Sequence, residues 1–286
     1  MRFSTENSEQ GFTLIELLIA MALALVVIGS LASTFIIQQK TYNTQEQIAE
    51  MTQNARAAMD MMTREIRMTG YGAPTSALSW IDWVSGVTFG TEPIKIDAGS
   101  GDLGSDIIHI AACFDGPAAM LSSDVSAGDT TIDVTPLDTT VSDSFDTDDE
   151  KIICINGLEN ALVTGVSGNT LTIDTDPSTG GNQGLANAYN SSATTVDICV
   201  VKVISYSIVE DPDGSYILKR NENLGAGRQP LAENIIDLQI TQVGNTIEIN
   251  HLTAQTDKRD PNYSQNNGYR TFDQRAFITP PNLLID

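Results

Sequence analysis

Gly11-Phe12-Thr13-Leu14-Ile15-Glu16-Leu17-Leu18-Ile19-Ala20 opens an apolar run that continues to Ile37 and carries a single charge, Glu16. The run exceeds the roughly 20 residues that a helix needs to cross a bilayer. An acid at the centre of such a helix costs ~2.5–3.5 kcal/mol on insertion scales, and less near the interface. Its presence calls for a compensating charge. A cut between Gly11 and Phe12 would create one, because Phe12 would then carry an ammonium group. Glu16 lies four residues further on and reaches that ammonium on its own helix or on a neighbour's. Two plainer readings exist: an ordinary single-span anchor, and a secretory signal cut after Ser30-Leu31-Ala32. The second requires a basic start and an apolar core of about 7–15 residues, and the chain has neither.

The same residues strongly resemble the processing site of type IV prepilins and type II secretion pseudopilins. The resemblance implies that Gly11 is the cleavage-site glycine for a prepilin peptidase. It implies that Phe12 is the N-methylated first residue of the mature chain and that Glu16 guides assembly. One departure is visible: the family's leader is usually basic, whereas Met1 to Gln10 holds only Arg2 beside Glu6 and Glu9. The expected division is a leader at 1–11, a long helix at 12–69 with a transmembrane half at 12–37, and an extracytoplasmic β-rich head at 70–286.

The 286 residues are 41% hydrophobic and carry a formal net charge of −22, which suits a folded, exported head rather than a disordered chain. So acidic a surface repels phosphate backbones, and nucleic-acid partners are not expected. The three cysteines, Cys113, Cys154 and Cys199, have no zinc-knuckle or CxxC spacing. Outside the cytoplasm one bridge is expected, with three buried thiols as the alternative.

After Ile37 the hydrophobicity falls while helical spacing persists. Tyr42, Ile48, Met51, Ala55, Ala58, Met59, Met62 and Ile66 recur at three- and four-residue steps. No Pro or Gly interrupts Ser30 to Thr69, and Gly70-Tyr71-Gly72-Ala73-Pro74 supplies the stop. The methionine stripe reads as core packing, since the thioether fills irregular gaps. Arg56, Arg64 and Arg67 are expected to be solvated or to pair locally with Asp60 and Glu65. The stretch from Gln38 to Gly72, with Tyr42, Gln45, Arg64-Glu65-Ile66-Arg67 and Gly70-Tyr71-Gly72, is similar to PilW-type minor pilins and the related J-class pseudopilins. Ser33 stands where many major pilins carry a helix-bending proline. That absence, with the size of the head, leans away from a bulk fibre subunit.

Beyond Pro74 the signals are short apolar runs separated by Gly, Asp, Asn and Pro. Residues 106–112 and 195–203 read as strands, and 205–209 with 215–220 form a hairpin around Asp211-Pro212-Asp213-Gly214. Residues 229–238 continue it. Between Ser122 and Ala193 the texture changes to strands of about 5 residues with tight turns, a small barrel-like β module inserted into the sheet. The fold class expected is therefore α+β: a type IV pilin-like long helix on an antiparallel sheet, with an inserted β module at 122–193. An insertion leaves and re-enters at adjacent points, which favours a Cys113–Cys199 bridge, with Cys154–Cys199 close behind.

Asp143, Asp146, Asp148, Asp149 and Glu150 supply the oxygen donors that calcium takes, but no EF-hand pattern is completed. A solvated acidic loop is the plainer reading, and no other cofactor is expected. His109 lies mid-strand and reads as packed, and His251 has no acid or thiol partner near it in sequence. No GxSxG, HExxH, Walker-type or dinucleotide-binding pattern occurs. The expected function is non-catalytic: a minor pilin, with a J-type pseudopilin or an anchored adhesive protein as alternatives. Its expected partners are other minor and major pilins, the prepilin peptidase and the inner-membrane assembly platform. The chain would span the inner membrane once, with the head outside the cytoplasm.

Overall fold

The computed structural model describes residues 12–72, 87–89, 92–137, 145, 151–222 and 227–283. Among them are one α-helix, α1 (Leu14–Met68), and thirteen strands. These are β1 (Ile94–Asp97), β2 (Ile107–Ala112), β3 (Pro117–Leu121), β4 (Thr131–Pro136), β5 (Ile152–Ile155), β6 (Glu159–Ser167) and β7 (Thr170–Asp174). They continue as β8 (Asp197–Glu210), β9 (Tyr216–Glu222), β10 (Gln229–Glu233), β11 (Ile235–Val243), β12 (Thr246–Gln255) and β13 (Thr271–Ile278). The architecture is a long N-terminal helix followed by an antiparallel β-sheet head, the α+β arrangement expected of a type IV pilin-like fold.

The chain divides into two compact units, residues 1–49 and 50–286. In the first, the described residues belong to α1 and its start. Their large apolar side chains, from Leu14 to Ile37, are exposed. This helix is long and apolar enough to cross a membrane, with a mean hydropathy of 2.6 in its most apolar window. Its hydroxyls are paired internally: Ser30, Ser33 and Thr34 donate to the carbonyls of Val26, Gly29 and Ser30 at 2.9–3.0 Å. A hydroxyl satisfied by its own backbone can sit in lipid without an unpaired donor.

In the second unit, residues 50–68 of α1 bury Met51, Ala55, Ala58, Met59, Met62, Glu65 and Ile66. From Met51 to Ile66 that stripe is the apolar spacing seen in the sequence, with one acid set into it, whereas Tyr42 is exposed and Ile48 half-buried. Arg56, Arg64 and Arg67 lie on the exposed face. The helix ends at a left-handed glycine, Gly70 (φ 84°), whose amide donates to the Ala111 carbonyl at 3.0 Å.

Strand β8 organises the head. Its second half pairs with β2 on one side and β9 on the other, giving a five-stranded antiparallel sheet ordered β1-β2-β8-β9-β10. Its first half pairs with β3 and β5. The pairings β3–β4, β4–β7, β7–β6 and β6–β5 then close a ring of six antiparallel strands. The ring encloses a core of Ile132, Val134, Phe145, Ile153, Ile155, Leu171, Ile173 and Ile198. It draws in β3 and β8, which flank the 122–193 segment. Gly184 lets two of its loops cross, for a Cβ there would meet the Gly128 carbonyl oxygen at 2.0 Å.

The expected strands at 195–203 and 205–209 are one continuous strand, β8. The continuation at 229–238 also divides differently. Asn234 adopts φ 58°, so β10 stays on β9 while β11 begins a separate three-stranded meander, β11-β12-β13. Asp106 ties the two sheets together, accepting from Gly99 N at 2.8 Å and Ile240 N at 2.7 Å.

Candidate functional site at the N terminus

Phe12 is exposed and Thr13 sits at the start of α1. The Glu16 carboxylate accepts from Thr13 N at 2.9 Å and from Thr13 Oγ1 at 2.9 Å. In return Glu16 N donates to Thr13 Oγ1 at 3.3 Å, and Leu17 N donates to the Thr13 carbonyl at 3.2 Å. This is a reciprocal capping box, Thr-x-x-Glu, which satisfies amides that a helix start leaves unpaired. Thr13 was not singled out in the sequence, although its spacing from Glu16 carries that signature. The acid therefore already has partners one turn before it, and it stands beside the helix terminus whose dipole favours negative charge. Gly11 lies outside the described residues.

Residues 7–32 match the prokaryotic N-terminal methylation motif. This is the type IV pilin signal, and it supports a pilin- or pseudopilin-class N terminus on a membrane-anchoring helix. No curated protein and no solved structure gave a significant match to the chain.

The other candidates fall in the head. Cys113 and Cys199 form a disulfide, and Cys154 is a free, buried thiol. Asp143, Asp146, Asp148, Asp149 and Glu150 lie outside the described residues, and among the described residues no three His, Cys, Asp or Glu side chains gather as a metal site. His109 is buried and bonded at both nitrogens, with Ser205 Oγ 2.6 Å from Nδ1 and Asp97 Oδ2 3.2 Å from Nε2. A carboxylate only accepts, so Nε2–H donates to Asp97 and the Ser205 hydroxyl donates to Nδ1. Burial pushes the imidazole below its ordinary pKa, against the pull of Asp97. His251, which had no partner near it in sequence, pairs at 3.1 Å with Asp273 of β13.

Glu65 corrects the expectation of local helix pairs. It points inward, and the Tyr206 hydroxyl and Arg220 Nε donate to its carboxylate. Arg220 also donates to Glu222 at 3.0 Å, and Lys202 bridges Glu222 at 2.8 Å and Asp115 at 2.6 Å. Burial works against the charge on Arg220, but its bonds to Glu65 and Glu222 outweigh it and hold the guanidinium above its ordinary value. Burial, then the Glu65 charge, pushes the Tyr206 phenol far up, so it stays a donor. The signal was present in the sequence: Glu65 falls in the apolar stripe three residues after Met62.

Proposed function

We propose that this chain is a minor pilin, a non-catalytic, membrane-anchored subunit for type IV pilus assembly. A prepilin peptidase would cut between Gly11 and Phe12, and Phe12 would be methylated at its new amino group. The observation that carries the reading is Glu16 in a capping box at the head of a lipid-length helix, inside the matched motif.

The mechanism is electrostatic. While the leader is attached, Glu16 holds Thr13 and caps its own helix. Once Phe12 is released, an ammonium stands beside that cap, and the carboxylate has a cationic partner on its own or an adjoining subunit. In a dry helix bundle an unmatched charge is costly, so the pair would set axial register between subunits. Other minor and major pilins would meet it through the helix, at the inner-membrane assembly platform. The exposed apolar face from Leu14 to Ile37 supplies the surface for lipid or neighbouring helices.

N-terminal mass analysis of membrane-extracted protein tests the reading. N-methyl-Phe12 at the amino end is expected; a chain still carrying residues 1–11, or trimmed beyond Ala32, would reject it. Glu16→Ala should leave cleavage intact and lower incorporation into the fibre. A J-type pseudopilin differs in its secretion apparatus, and deletion of the secretion rather than the pilus machinery would then block assembly.

A further inference from the structure

The three cysteines occupy one buried cluster with Ala111, Ile152 and Val201. Cys199 is bonded to Cys113, and Cys154 is the register partner of Cys199 in the β5–β8 ladder. Register partners on an antiparallel pair have Cα atoms about 4.5–5.5 Å apart and side chains on one face. That spacing lies within the span of roughly 4.4–6.8 Å that a disulfide bridges. Cys199 therefore has two sulfurs in reach. On the other side of Cys154, its register partner on β6 is Asn160, which is buried with neither side-chain polar atom hydrogen-bonded. Buried amides are nearly always paired. An amide left open beside a thiol is a donor for a thiolate.

We propose that Cys154 exchanges with the Cys113–Cys199 disulfide, so that Cys199 is bonded alternately to Cys113 and Cys154. The Cys154 thiol gives up its proton, and its sulfur attacks Cys199 Sγ. The Cys154–Cys199 bond forms as the Cys199–Cys113 bond breaks. The electron pair leaves on Cys113 Sγ, which takes up a proton. One thiol and one disulfide exist before and after, so neither oxidant nor reductant is consumed. The Asn160 amide steadies the attacking thiolate.

The exchange changes what is tethered. In the first pairing the bond ties the end of β2, against Gly72 at the exit of α1, to β8. In the second it staples two neighbouring strands of the ring and leaves the Gly72 turn without a cross-link. Burial pushes the Cys154 thiol up to about 11, so little thiolate forms at neutral pH and the exchange is slow there.

The test uses the full, oxidised chain in detergent, held folded at pH 9. Samples are quenched with acid, unfolded, alkylated and peptide-mapped. Label on Cys154 alone at the start, then increasingly on Cys113 together with a Cys154–Cys199 peptide, is expected, about tenfold faster per pH unit between 7 and 9. Label confined to Cys154 throughout would overturn the proposal. So would label on Cys199 as often as on Cys113, the mark of random reshuffling. Asn160→Leu should slow the exchange several-fold; an unchanged rate would remove the amide from the step.

Discussion

Glu65 Oε1 on α1 lies 3.1 Å from Arg220 Nε on β9, and both side chains are almost wholly buried. An ion pair in that position does little for stability compared with a well-packed apolar pair, yet losing Glu65 leaves the buried Arg220 with Glu222 at one end of its fork and takes the acceptor from the Tyr206 hydroxyl. Glu65→Ala should therefore destabilise the head by about 3–5 kcal/mol, read by denaturant unfolding. The double variant Glu65→Leu, Arg220→Met should recover much of the loss. A double-variant loss equal to the sum of the Glu65→Leu and Arg220→Met losses would show that the charges are not coupled.

His109 makes the head sensitive to mild acid. Its folded pKa lies below the ordinary 6.5, because burial disfavours the imidazolium more than Asp97 favours it. As pH falls through about 6.5 the unfolded chain binds a proton that the folded chain refuses. Stability present above that pH is thus lost as pH drops toward the folded value. The melting temperature should fall between pH 7 and 5, and His109→Gln should flatten that slope. Glu222 acts lower: its burial is outweighed by Lys202 and Arg220, so its contribution is lost only below its ordinary 4.5.

Gly72 should tolerate no side chain. Its φ is 67°, and a Cβ would meet Cys113 Sγ at 2.4 Å and Cys199 Sγ at 2.9 Å. Gly72→Ala is expected to cost about 1–3 kcal/mol from the backbone alone, and to lower the yield of the Cys113–Cys199 bond. Thiol counting on the purified chain reads the second effect.

Met62 is fully buried in the stripe of α1. Met62→Ala should cost about 2–5 kcal/mol through the cavity it leaves. Arg64→Ala, on the exposed face, should stay within about 0.5 kcal/mol. Comparable losses at both positions would mean that the helix does not bury the face assigned to it.

Features with a local cause were legible in the sequence. The helix showed as unbroken periodicity and ended at the Gly70 stop, and β4 to β7 showed as short alternating runs between turn residues. Features that depend on long-range pairing were not. β1, β3, β12 and β13 went unread, β3 and β13 carrying Pro117, Gln274 and Arg275 among their apolar residues. The ring's closure through β8 depends on which strand pairs with which, and no single segment encodes that. At the amino end, the sequence marks Glu16 as an acid that calls for a charged partner, while its hydrogen-bonding partner Thr13, three residues earlier, carries no charge to draw attention. Glu65 is the converse case: its charge suggests a surface pair, while its position in the stripe carries it inside.

Because β8 is both a stave of the closed ring and the middle of the open sheet, the two halves of the head share a backbone rather than an interface. Neither can be trimmed away cleanly. Excising the ring strands would strip residues 197–199 of their β3 partners and 198–201 of their β5 partners, turning an inner strand into a sticky edge prone to aggregation. A shortened head engineered from this chain would have to rebuild that strand's neighbours or end it before Lys202.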